Sequence, residues 1–317
     1  MTAPLPPLLD RRLLFVTGKG GVGKTTVAAA MGLLAARHGK RTLVAELARR
    51  DDVWRALRGE EPSAVFRERE IGENLSFISI DPERAMEEYL VDQLPRALAD
   101  VLTGSRVFGY LAAATPGLRE LLAIGKVWEL AQPDRRTPGA APYDLVVVDA
   151  PATGHGVAFL AAPKTFAAAA AVGPIARQAR TIHDMLADPQ RSAVLVVAAA
   201  TEASVSETEV LVEEVTGALG YPPAQLVLNR MLPRRFSAGD AERLLAVAEG
   251  PPPPAVAQAA VDAALAAHRR QRRQAEERRQ LAGRVAGVPL ATLPFLFTER
   301  LALPELERLG GLLERRL

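Results

Sequence analysis

The run Gly18-Lys19-Gly20-Gly21-Val22-Gly23-Lys24-Thr25-Thr26 gathers four glycines, two lysines and two hydroxyls into nine residues. It satisfies the spacing G-x-x-x-x-G-K-[ST], which suits a chain of phosphates. Glycines let backbone N–H groups turn toward an anion with no Cβ in the way. A helix starting at the end of the run adds its positive dipole end. In this pattern Lys24 would reach the β- and γ-phosphates of a nucleotide, and the Thr25 hydroxyl would hold Mg²⁺. Lys19 is extra: cradling the chain's own phosphates does not need a cation there. It could cross an interface and neutralise charge on a nucleotide held by a second subunit, as an arginine finger does. The plainer reading is a solvated lysine.

A second constellation is Tyr143-Asp144-Leu145-Val146-Val147-Val148-Asp149, followed by Ala150-Pro151-Ala152-Thr153-Gly154-His155-Gly156. An apolar strand ending in a carboxylate is what a Walker B element requires, with Asp149 beside the phosphates holding a Mg²⁺-bound water. The Gly/Pro/Thr-rich run after it reads as a mobile loop able to sense the γ-phosphate, with His155 as a hydrogen-bonding residue. Asn229, at the end of Leu226-Val227-Leu228, offers one donor and one acceptor that suit a purine edge. Asparagine at a strand end is also an ordinary turn residue.

These residues need a scaffold that brings strand ends together. Apolar β-type runs at 13–17, 42–46, 75–80, 145–149, 194–199, 225–229 and 289–293 alternate with helical stretches. Near-continuous apolar strands between helices predict an α/β fold of the P-loop type, a mostly parallel sheet covered on both faces. Ligands of such sheets bind at the carboxyl ends of the strands, where the glycine run, Glu46, Asp149 and Asn229 all fall. We expect a single domain over 1–317 with helical insertions at about 81–132 and 159–190. The apolar faces of the insertions would pack as core or form a groove for an apolar partner. After Pro251–Pro254, a helix from 255 to about 284 carries Arg269, Arg270, Arg272, Arg273, Arg278 and Arg279, diluted by Glu276 and Glu277. That reads as a solvated face, or as a contact for anionic lipid.

With 317 residues, 49% hydrophobic and 24% charged, the chain can bury a sizeable core. It has no cysteine, which excludes disulfides, thiolate metal sites and thiol nucleophiles. His38, His155, His183 and His268 lack ligand spacing. A net charge of +2 is too small to imply nucleic acid as a partner. No apolar run is long enough for stable membrane insertion. Residues 1–10 lack the order of a signal peptide and read as a flexible tail, so cytoplasmic residence is the default expectation.

In combination, Gly18–Thr26 with Lys19, the Asp149–His155 run, Phe159-Leu160-Ala161-Ala162-Pro163, Pro116-Gly117-Leu118-Arg119-Glu120, Glu207-Thr208-Glu209, Asn229 and Leu293-Pro294-Phe295 resemble the deviant Walker ATPases of the ArsA-like group. That group drives arsenical pumps and targets tail-anchored proteins. The resemblance spans nearly the whole chain. It implies an ATP hydrolase using ATP and Mg²⁺, and a dimer gated by nucleotide. It further implies that Lys19 contacts the opposing nucleotide, that Thr25 and Asp149 serve Mg²⁺, that Asn229 reads adenine, and that Pro294 and Phe295 flank the base. In the targeting branch, helical insertions hold an apolar client. Without cysteine, thiolate capture of arsenite and a zinc clasp are both missing. As one copy rather than a tandem duplication, the chain would pair with itself or a paralogue. The aspartate usual after the second strand is absent. Glu46 is the substitute we assign, with Asp51 and Asp52 as alternatives, and slow hydrolysis would follow. Competing readings are a ParA/MinD-like positioning or regulatory ATPase, and a weakly active subunit of a heterodimer.

Overall fold

The computed structural model describes residues 7–47, 51–59, 66–93, 115–137, 139–151, 156–169, 173–251 and 253–315. Eight strands form one sheet: β1 (Leu13–Gly18), β2 (Thr42–Glu46), β3 (Arg69–Gly72), β4 (Leu75–Ser79), β5 (Leu145–Asp149), β6 (Ser192–Ala199), β7 (Gln225–Met231) and β8 (Leu290–Pro294). Their order is β3-β4-β2-β5-β1-β6-β7-β8. Every pairing is parallel except the β3–β4 hairpin. The predicted α/β class and mostly parallel sheet are what the chain adopts.

β1, β2, β4 and β5 are buried along their whole length, which is why their sequences read as mostly apolar runs. Side chains alternate between two cores. Leu14, Val16, Val44 and Val147 face one, while Leu13, Phe15, Val146 and Val148 face the other. β3 is a strand that the sequence pattern did not announce. It has four residues, two of them charged, and its pattern alternates half-buried with exposed. A charged, short edge strand carries no apolar signature and resists pairing with other chains.

The first core is closed by α1 (Lys24–Arg37), α2 (Asp52–Arg58) and α10 (Leu303–Glu314). α1 is buried nearly all round, and its glycine makes close packing possible. A Cβ on Gly32 would stand 2.4 Å from Val44 Cγ2. The second core lies under α4 (Leu118–Leu130), α5 (Gly156–Ala169), α6 (Pro174–Leu186), α7 (Glu202–Leu219) and part of the long α9 (Ala255–Arg284). α3 (Pro82–Gln93) precedes α4, and α8 (Ala238–Glu249) precedes α9. The N-terminal tail differs from expectation over 8–10. These residues form a 3-10 turn with Leu8 buried, and Lys40 pairs with Asp10 at 2.6 Å.

Of the two helical insertions, the described parts are α3 with α4, and α5 with α6; residues 94–114 and 170–172 lie outside the described set. Most of their apolar residues serve as core: Leu121, Ile124, Val127 and Ile182 are buried in one continuous cluster. What remains is a small apolar pocket of about 50 Å³ between α3, α4 and α6. Val172 is outside the described residues. An ion network ties this block to the sheet. Arg135 bridges Glu68 at 2.6 Å and Glu129 at 3.4 Å, Lys126 bridges Glu88 at 2.6 Å and Glu129 at 3.0 Å, and the Tyr143 hydroxyl donates to Glu68 at 2.7 Å. Burial alone would raise the Glu129 carboxyl, but Lys126, the Arg136 amide and Arg135 together hold it below the usual carboxylate range.

The close packing at Gly32 sets an expected contrast. Gly32→Val overpacks the α1–β2 contact and lowers the free energy of unfolding by about 2–3 kcal/mol. Gly283→Ala, on an open helical face, raises it by about 0.5–1 kcal/mol. Urea midpoints of the two variants move in opposite directions; an unchanged midpoint for Gly32→Val would count against the packing.

Candidate functional site

Register brings the site together at the carboxyl edge. Val16 on β1 and Glu46 on β2 both stand opposite Asp149 on β5. The chain leaves β1 at Gly18 and enters α1 at Lys24. Two glycines in between cannot be replaced. Gly18 has φ +151°, and a Cβ there would lie 2.2 Å from the Val197 carbonyl oxygen. Gly23 has φ +97°, and a Cβ there would lie 2.3 Å from Asn229 Nδ2. The loop is therefore held tightly between β6 and β7. Gly20 is exposed at its tip, and Val22 is buried beneath it.

Lys24 is buried, and its ammonium donates to the Lys19 carbonyl at 2.9 Å. The Lys19 side chain is half-buried. A cleft of about 340 Å³ opens over this loop, lined by Gly21, Gly23, Lys24, Thr25 and Thr26 together with Glu46, Asp52 and Asp149. The Thr25 hydroxyl donates to Asp149 Oδ2 at 2.6 Å. Those two groups supply hard oxygen donors at one point. Among the described residues no group of three His, Asp or Glu side chains could hold a metal ion. Two protein oxygens suit Mg²⁺, which keeps several waters and takes the rest of its shell from phosphates.

Glu46 is buried at 2% exposure. Burial first, then the charge of Asp149, then Asp52 and Asp51, push its carboxyl up to about 8, against the opposing donation from the Val53 N–H at 3.3 Å. The other two acids separate. Asp52 begins α2 and lines the cleft, pairing with Arg55 at 3.0 Å. Asp51 is buried, sits in the left-handed region at φ +52°, and pairs with Arg69 at 3.3 Å. Residues 48–50 and 152–155, including His155, lie outside the described residues.

Asn229 is placed against the phosphate loop: its Nδ2 donates to the Val22 carbonyl at 2.9 Å and its Oδ1 accepts from the Arg230 N–H at 2.9 Å. A purine edge would have to share or release those bonds. Pro294 and Phe295 do not line the cleft. They line a neighbouring groove of about 520 Å³ with Pro233, Leu296, Phe297 and Glu305. Glu305 and the cleft-lining Leu306 are neighbours on α10, so groove and cleft adjoin. Residues that sequence reasoning missed complete the cleft: Ala56, Arg230, Leu301 and Leu306. Arg230 could be suspected only from its place beside Asn229, since the backbone turn that presents it has no sequence signature.

The pattern of the family described as anion-transporting ATPase matches residues 11–171. ATPase BagA of Mycobacterium tuberculosis is 32% identical over 248 residues, covering 75% of this chain and 70% of that protein. A putative arsenical pump-driving ATPase of Halobacterium salinarum is 27% identical over 252 residues, 73% of this chain but 37% of that protein. ATPase ASNA1 homolog 1 of Paramecium tetraurelia is 29% identical over 47% of this chain and 43% of its own length.

The buried Glu46 makes stability depend on pH. An unfolded glutamate ionises near ~4.3, below the folded value of about 8. Its contribution is fully present below the unfolded value and is lost as pH rises toward the folded one. Glu46→Gln should match the parent near pH 4 and exceed it by about 2–4 kcal/mol near pH 8. Parallel denaturation curves for both proteins at every pH would remove Glu46 as a buried ionisable group.

Proposed function

The chain belongs to the anion-transporting ATPase family and is an ATP hydrolase, and on that premise we propose that it is a Mg·ATP-gated two-subunit switch acting on a protein client. The observation that carries this reading is the Thr25–Asp149 contact at 2.6 Å beneath the Gly18–Lys24 loop. The backbone of Gly18, Lys19, Gly20, Gly21, Val22 and Gly23 would wrap the phosphates, and Lys24 would exchange its bond to the Lys19 carbonyl for phosphate oxygens. Thr25 and Asp149 would hold Mg²⁺, which neutralises charge on the transferring phosphoryl group. Thr26 lines the same cleft. Asn229 would keep the loop in shape from below, and Pro294 with Phe295 would shelter the base from the adjoining groove.

Glu46 is the acid of the three that combines burial with a place on the cleft wall, so it is the one we assign to the attacking water. Held neutral up to about pH 8, it must release a proton before it can accept one. That supports slow turnover by the lone chain, and a heterodimer with a more active paralogue is a second reading that rests on the same observation.

Lys19 supports the two-subunit scheme. Its carbonyl is engaged by Lys24, and its half-buried side chain would contact a neighbour's nucleotide. Homodimer or paralogue pairing both satisfy this geometry. The client would be a protein with an apolar segment, because a chain with no cysteine cannot bind a metalloid through thiolates. The apolar pocket between α3, α4 and α6 is where such a segment would begin to dock. Membrane targeting, chaperoning and stress response are the roles compatible with that client. Among the described residues no helix is long and apolar enough to cross a membrane, and we place the protein in the cytoplasm without nucleic acid as a partner.

Lys24→Ala should abolish calorimetric ATP binding and lower turnover by at least ~10²-fold. Lys19→Ala should bind ATP within about threefold of the parent, yet lose nucleotide-dependent dimers in light scattering and about 10³-fold in turnover. A Lys19→Ala protein that still dimerises with ATP and hydrolyses it normally would end the two-subunit scheme.

A further inference from the structure

Arg230 has a backbone conformation that its side chain does not favour. It sits at φ +59°, in the left-handed region, where a non-glycine residue is uncommon and costs about 1 kcal/mol or more. The cause is a change of register. Leu228 on β7 stands opposite Thr292, but Met231 stands opposite Pro294, so three residues of β7 are matched to two of β8. The extra residue makes a bulge, and bulges near functional edges re-aim side chains. Here the re-aimed side chain is exposed and lines the same cleft as Lys24, Thr25 and Asp149. Its guanidinium makes no ion pair or hydrogen bond with the described residues.

The bulge is clamped from both sides. The Arg230 N–H donates to Asn229 Oδ1 at 2.9 Å. On the other side, Gln274 of α9 donates from Nε2 to the Arg230 carbonyl at 3.2 Å and accepts at Oε1 from the Leu232 N–H at 2.7 Å. One carboxamide on a long helix therefore fixes both ends of the turn that presents Arg230. Asn229, in turn, donates to the phosphate loop at Val22. A chain of direct bonds thus runs from α9 through the bulge to the loop.

We propose that Arg230 binds the polyphosphate of the nucleotide within its own subunit, and that Gln274 is the positioning residue that holds it there. This rests on the reading that ATP occupies the Gly18–Lys24 loop. A guanidinium is the apt group: always charged, forked, and suited to phosphate oxygens. The strain at φ +59° is sustained because the neighbouring side chains over-determine it. α9 also carries the arginine cluster 269–279, so a load on that helix would be felt at the nucleotide through Gln274.

The test uses the full-length chain, with binding followed by calorimetry and hydrolysis by steady-state kinetics. Arg230→Gly relieves the left-handed backbone while deleting the cation, so it should be at least as stable to urea as the parent. It should nevertheless bind ATP about 10-fold more weakly, and inorganic tripolyphosphate more weakly by the same factor. Arg230→Lys should recover part of both. Gln274→Ala should raise KM for ATP about 10-fold with kcat nearly unchanged. Combined with Arg230→Gly it should add nothing, because it acts through that residue. Undiminished tripolyphosphate binding by Arg230→Gly would overturn the proposal, including the case in which ATP binding alone weakens, since the side chain would then serve the base or ribose. Multiplying losses in the double variant would overturn the role of Gln274. Lys24→Ala separates this from the parent reading: if it abolishes ATP binding while Arg230→Gly does not weaken it, the loop keeps its nucleotide and only the arginine loses its role.

Discussion

The site depends on one short contact between elements far apart in sequence, the hydroxyl of Thr25 against the carboxylate of Asp149 at 2.6 Å. It joins the first turn of α1 to the end of β5. Neither partner could hold this position alone. Thr25 is placed by the loop, whose tight path is allowed only because Gly18 and Gly23 have no side chains to strike Val197 and Asn229. Asp149 is placed by a strand buried along its length. Packing the two together concentrates carboxylate charge in a poorly hydrated corner, and the cost falls on Glu46, whose proton is held to about pH 8. The ammonium of Lys24 belongs to the same cleft as these carboxylates and brings a positive charge to it.

Support for the loop comes from the opposite side of the sheet's switch between β1 and its neighbours. β6 and β7 lie beyond β1 in the sheet order, and Asn229 reaches from β7 to the Val22 carbonyl. Buried backbone carbonyls need partners, and here a side chain supplies one. The conformation of the loop is thereby linked to the β7 bulge and to α9. The phosphate loop is thus a junction where the first quarter of the chain meets residues about 200 positions later.

The helical insertions stand on the other face and have a different basis. Their apolar residues are mostly spent on the core they share with the strands, and an ionic network through Glu68, Arg135, Glu129 and Lys126 adds to that attachment. Removing one member of such a buried network strands its partner, which is more costly than the network is stabilising. The apolar pocket left between α3, α4 and α6 is small, and the core residues Leu121 and Ile182 line it.

Much of this was legible in the amino-acid sequence. The glycine spacing, the lysine at 24, the hydroxyl at 25 and the apolar run into Asp149 are local patterns, and local patterns record local backbone demands and burial. The parallel sheet followed from the same runs, because a strand buried on both faces is mostly apolar. What was not legible depended on contacts between distant segments. The edge strand β3 is charged and short, so it exists through its pairing with β4. The turn at 8–10 is ordered because Leu8 finds a core that the chain has yet to build. Glu46, Asp51 and Asp52 were interchangeable as letters, and only the tertiary structure separated them, sending Asp51 to Arg69 and leaving Glu46 beside Asp149. Asn229 offered a donor and an acceptor that suit a purine edge, and packing sets the two against the Val22 carbonyl and the Arg230 N–H. Arg230 had no signal, because a left-handed residue forced by a register change is decided by the strand beside it. The sequence by itself determined which chemical groups the chain could offer and at which strand ends; the fold decided which of them meet, since proximity across hundreds of residues is a property of packing.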